Sequence, residues 1–68
     1  MKRVKLNEGE NGCISLFNRD EKLMLSIMLK PGLNEVNLYD IPLESGTYTY
    51  KIFVNEKLTE AKNLIIIS

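Results

Sequence analysis

Apolar side chains recur at every second position along most of the chain. Val4 and Leu6, then Ile14 and Leu16, then Leu23, Leu25, Ile27 and Leu29, then Val36 and Leu38, and finally Tyr48, Tyr50, Ile52 and Val54 all keep that spacing. Successive side chains of a strand point to opposite faces, so a period of two gathers these residues on one face of a sheet, whereas a helix needs recurrences at three and four. No helical recurrence competes with it. The pattern predicts an all-β fold of six to seven short strands, with residues 1–68 forming a single domain.

The polar stretches between these runs predict the connections. Residues 7–12 carry two glycines, which tolerate the positive φ that a turn needs. Residues 18–22 join two strands as a tight hairpin without glycine, so Asn18 or Asp20 is expected to take the left-handed conformation. Pro31-Gly32 suits a type II turn, with φ fixed at proline and positive φ accepted at glycine, and a second reversal is expected there. Pro42 and Gly46 bar ladder pairing through residues 39–46, where Ile41 or Leu43 is expected to plug the end of the core. The run 47–54 is rich in branched and aromatic residues and is expected to be a central strand. Residues 55–57 then turn the chain into a last strand, 58–68. Its end, Leu64, Ile65, Ile66 and Ile67, is apolar on both faces, which calls for burial inside the domain or under a partner. Antiparallel strands in this number fit a two-sheet sandwich, with a small open barrel as the rival arrangement.

Composition narrows the chemistry. A chain of 68 residues has room for one thin core, since it buries only about 60% of the surface its unfolded form exposes. Basic and acidic residues balance at 9 each, so no global field gathers nucleic acid or anionic lipid. Lys2, Arg3 and Lys5 read as the solvated charges that keep an edge strand soluble, with docking onto an acidic surface as the alternative. With Cys13 alone and no histidine, neither an internal disulfide nor a Cys/His zinc site is expected. Nucleophilic catalysis lacks its usual base, and Glu8, Glu10, Asp20 and Glu21 fall in polar turns. The expectation is a non-enzymatic chain without cofactor or metal. Leader-like and membrane-spanning apolar runs are absent. Taken as free-standing, the chain is expected in the cytoplasm or a virion, as an auxiliary or decoration subunit of an assembly such as a phage capsid. The face opposite the main alternation carries Phe17, Met24, Met28 and Phe53, more apolar than solvent requires. Together with the 64–67 run, these are the candidate partner-binding residues, and edge strands offer self-association as a second mode.

Several segments resemble the C-terminal sorting domains of the type IX secretion system of Bacteroidetes. The likeness rests on Ile14-Ser-Leu-Phe17 followed by Leu23-Met-Leu-Ser-Ile27, on Gly32-Leu-Asn-Glu-Val36, on Leu43-Glu-Ser-Gly46-Thr-Tyr48-Thr-Tyr50, and on Lys62 ahead of the closing apolar run. It covers about four-fifths of the chain. The chain departs from that family's pattern at Asp20-Glu21, at Glu56 and at Asn63. The resemblance implies an immunoglobulin-like sandwich, and an alternative role in which Gly46, Tyr48, Tyr50 and Lys62 belong to a segment read by an export machine at the cell surface.

Overall fold

The computed structural model describes residues 1–67. Six strands form two antiparallel sheets: β1 (Lys2–Leu6), β2 (Gly12–Phe17), β3 (Leu23–Leu29), β4 (Gly32–Val36), β5 (Gly46–Val54) and β6 (Lys57–Ile66). The larger sheet has the order β3-β2-β5-β6, and β1 pairs with β4 in a separate ribbon. β5 is central, flanked by β2 and β6, as its composition predicts. No helix in the described residues is long and apolar enough to cross a membrane.

Polar side chains set the turns. In the β2–β3 hairpin the Asn18 Oδ1 accepts the backbone N–H groups of both Asp20 and Lys22 at 2.9 Å, and Asn18 N–H donates to the Lys22 carbonyl at 3.0 Å. The left-handed residue is Glu21, at φ +62°, which corrects the expectation of Asn18 or Asp20. Asn18 serves the turn through its side chain instead, in the manner of an Asx turn. The backbone bends at Pro31 and Gly32 takes φ +98°, but β3 and β4 do not pair. The chain changes sheets there. Asn34 clamps this corner: its Oδ1 accepts the Lys30 N–H at 3.0 Å, and its Nδ2 donates to the carbonyls of Lys30 at 2.7 Å and Val4 at 3.1 Å. β4 stops at Val36, and Leu38, expected on a strand, instead opens a 3₁₀ turn (Leu38–Asp40) capped by the Asn37 side chain.

The ribbon covers one face of the larger sheet. Register places Ile14 opposite Ile52, Leu16 opposite Tyr50, and Tyr48 opposite Leu64. With Leu6, Leu29, Leu38 and Ile66 these side chains make the buried core, and Val4, Val36, Ile41, Leu43 and Val54 pack around it. Leu6, Ile14 and Leu16 are almost wholly buried, each worth about 1.5–3 kcal/mol of transfer free energy. Gly12 permits this closeness, since a Cβ there would meet the Phe53 carbonyl at 3.0 Å and Leu6 Cδ1 at 3.1 Å. Cover thins along β3. Leu29 is buried and Ile27 half-buried, but Leu25 and Leu23 are exposed. Leu25 is bare because a ribbon of two strands cannot roof a sheet of four and β3 lies at its edge, whereas Leu23 leaves that face: the ladder shifts by one residue and sets it opposite Phe17, which corrects the expected unbroken alternation.

Candidate docking surface

Among the described residues, no layer covers the other face of the larger sheet. Its residues are those out of phase with the core, and the ladder registers align them in rows. Met28 lies opposite Cys13, Cys13 opposite Phe53, and Phe53 opposite Leu58, so one apolar row crosses all four strands. The next row is polar or small: Ser26, Ser15, Lys51 and Ala61. Beyond it, Phe17 pairs with Leu23 on one side and Thr49 on the other. Leu16 pairs with Leu25 and Phe17 with Leu23, leaving Met24 as the extra residue of a β-bulge. Met28 is 74% exposed and Leu58 55%. A shallow hollow of about 390 Å³ lies along the apolar row, lined by Cys13, Met28, Phe53 and Gly12, with Asn11 and Glu56 beside them.

Local structure fixes the rim of that hollow. Asn55 N–H donates to the Asn11 carbonyl at 2.7 Å, and Asn11 N–H donates to Asn55 Oδ1 at 3.0 Å, which ties the β1–β2 loop to the β5–β6 hairpin. That hairpin turns on two consecutive left-handed residues, Asn55 at φ +51° and Glu56 at φ +68°, a geometry that normally selects Asn-Gly. At the far end of the face the Lys51 ammonium sits 4.9 Å from the Phe17 ring centroid, a favourable cation–π distance.

The sequence-derived partner residues divide between the two faces. Met28 and Phe53 share the apolar row, Phe17 lies on the same face beyond the polar row, and the bulged Met24 lines a separate hollow with Arg19, Glu44 and Tyr48. Of the closing run, Leu64 and Ile66 turn into the core and are withdrawn from the surface, while Ile65 and Ile67 are exposed. Gly46, Tyr48, Tyr50 and Lys62 all lie on the β5–β6 ladder. Tyr48 and Tyr50 are core residues, the Tyr48 hydroxyl donating to the Glu44 carbonyl at 2.7 Å. Sequence reasoning missed Leu58 and the central position of Cys13. Leu58 meets Phe53 only because β6 holds one extra residue between Glu60 and Leu58, and no residue type announces that bulge.

Charge concentrates on the opposite side, where β1 meets β5 and β6. Lys2 Nζ lies 2.6 Å from Glu60 Oε2, to which the Tyr50 hydroxyl also donates at 2.7 Å. These bonds, Lys2 first and Tyr50 next, hold the Glu60 carboxyl below its ordinary range. Burial, then the bond to Glu60 and its charge, push the Tyr50 phenol up to about 12. Arg3 lies 3.4 Å from Glu35, so two of the three basic residues at the start of the chain are engaged within the fold. Among the described residues no cluster of three or more His, Cys, Asp or Glu side chains could hold a metal ion, and no buried side-chain polar atom lacks a hydrogen-bond partner. No family model, curated protein or solved structure matches the chain.

Proposed function

We propose that this chain is a non-catalytic docking module, an auxiliary subunit that joins a larger protein assembly through the uncovered face of its four-stranded sheet. The observation that carries the reading is the apolar row Met28, Cys13, Phe53 and Leu58, set across all four strands by register. Isolated apolar residues on a surface need no explanation, but a contiguous band with polar neighbours is the composition of a protein contact. Balanced charge favours a protein partner over nucleic acid. The finer fold reading is an immunoglobulin-like sandwich. Two features support it: β5 returns beside β2 after the chain has crossed to the second sheet, in the manner of a Greek key, and the Tyr48 hydroxyl bonds back to the backbone four residues upstream. The export-signal reading draws on Tyr48 and Tyr50, whose burial is already explained by the core.

A photo-crosslinking residue at Leu58, exposed and three strands away from β3, tests the proposal in the native cells. One discrete adduct with another protein is expected from that position and none from Lys5, which is exposed on β1. Equal diffuse labelling from both positions would refute it.

A further inference from the structure

We propose that two copies of this chain pair through the free edge of β3, antiparallel about Ser26, into one sheet with four strands from each copy. Among the described residues β3 ends the larger sheet and is laddered to β2 alone, so its outer backbone groups have no strand partner there. Exposed edges of this kind are usually protected by charge or proline. Within Leu25–Leu29 there is neither, and the bulge at Met24, another such device, lies toward one end of the strand. The segment also reads nearly the same from either end. Antiparallel pairing about Ser26 sets Leu25 opposite Ile27 of the second copy and Ser26 opposite itself, and brings the bulged Met24 to Met28 at each end, the bulge closing the regular register there. A two-fold interface requires such a self-complementary patch, and the sequence of this strand supplies one.

Exposure supports the same occupant. Leu25 faces the core side yet is 36% exposed, because the β1–β4 ribbon stops short of it; Ile27 of the second copy would lie beside it and extend the core across the two-fold axis. The exposed Met28 and the bulged, exposed Met24 would approach each other at each end, and thioether side chains adapt well to such contacts. The opposite edge, β6, is less suited, because Lys57, Glu60 and Lys62 interrupt it. Zero net charge removes overall repulsion between copies. One local repulsion remains, since the same pairing brings Lys22 toward Lys30 at each end. Like charges across a ladder are unfavourable and are screened by salt, so association should strengthen as ionic strength rises. The inference stands on the β3 edge and does not depend on docking through the uncovered face.

Sedimentation equilibrium of the full chain over a range of concentration and salt tests it. The average mass should climb from 7.8 kDa toward twice that value, further at high salt. Ser26 is exposed, with its hydroxyl 3.3 Å from that of buried Ser15, and Ser26→Lys and Ser26→Glu are expected to keep the strand spectrum in circular dichroism despite losing that contact. Each should also raise the dissociation midpoint about tenfold or more by placing like charges at the axis, and an equimolar mixture of the two should recover association. Lys30→Glu, which brings a carboxylate toward Lys22, should lower the midpoint instead and serves if the Ser26 variants do not fold. A chain that stays monomeric at every concentration would overturn the proposal. So would association indifferent to Ser26 and Lys30, or a mixture that fails to recover it.

Discussion

Glu56 holds a left-handed backbone at φ +68° directly after Asn55 at φ +51°. A side chain with a Cβ costs about 1–2 kcal/mol in that region, a cost glycine avoids. Glu56→Gly is therefore expected to raise stability by about 1 kcal/mol, read as a higher urea midpoint with an unchanged slope. A lower midpoint would mean that the glutamate side chain contributes more than its backbone strain costs. Glu21 at φ +62° presents the same conflict in the β2–β3 hairpin. That a residue without glycine's freedom must turn left-handed between positions 18 and 22 was readable from the sequence. Which residue does so was not, because Asn18 satisfies two backbone N–H groups with its side chain and passes the strained angle to Glu21.

Within elements, β6 shows how one apolar run serves two surfaces. Ile66 is 6% exposed and Ile65 63%, although they are adjacent and identical. Ile66→Ala is expected to cost about 2–4 kcal/mol by opening a cavity in the core, and Ile65→Ala about 1 kcal/mol or less. Equal losses in thermal or urea denaturation would contradict the register in which Gly46 opposes Ile66. The alternation in β2 and β5 located those strands and their buried faces from composition alone. β3 has an equally strict pattern, yet Leu23 and Leu25 are exposed. Periodicity tells which face a residue shares with its neighbours until a bulge intervenes, as it does before Leu23, and whether anything lies over that face, as at Leu25, depends on another part of the chain.

Across the whole molecule, the cluster of Lys2, Glu60 and Tyr50 ties the ribbon to the larger sheet at the flank of β6, and it sets a pH window. Glu60 has its carboxyl lowered below 4.5 on folding, so the unfolded chain binds the proton more tightly. The stability it contributes is full above that ordinary value and is lost as pH falls through the folded one. Tyr50 is shifted the other way, from 10.0 to about 12. Its contribution is full below pH 10 and is lost as pH rises toward 12, because the unfolded chain releases the phenolic proton first. Urea midpoints are expected to be level between these limits and to fall on both sides. Tyr50→Phe is expected to lower the plateau, through loss of the bond to Glu60, and to remove this group's share of the alkaline fall. Phenolate absorbance that shows every tyrosine of the folded chain ionising near 10 would contradict the assignment.

The period-two pattern by itself committed this chain to strands, placed the turns at its polar and glycine-bearing segments, and put Phe17, Met24, Met28 and Phe53 out of phase with the core. Those properties are local, since they follow from backbone geometry and from which side of a pleat a residue occupies. Tertiary structure alone decided that β1 and β4 leave the main sheet and that β3 and β6 become its edges. It also aligned Cys13 and Leu58 with Met28 and Phe53 in one row. Strand order and register depend on pairings between residues far apart in the chain, and a two-stranded ribbon can cover only one face of its partner sheet. The face it leaves bare is the one on which the proposed docking rests.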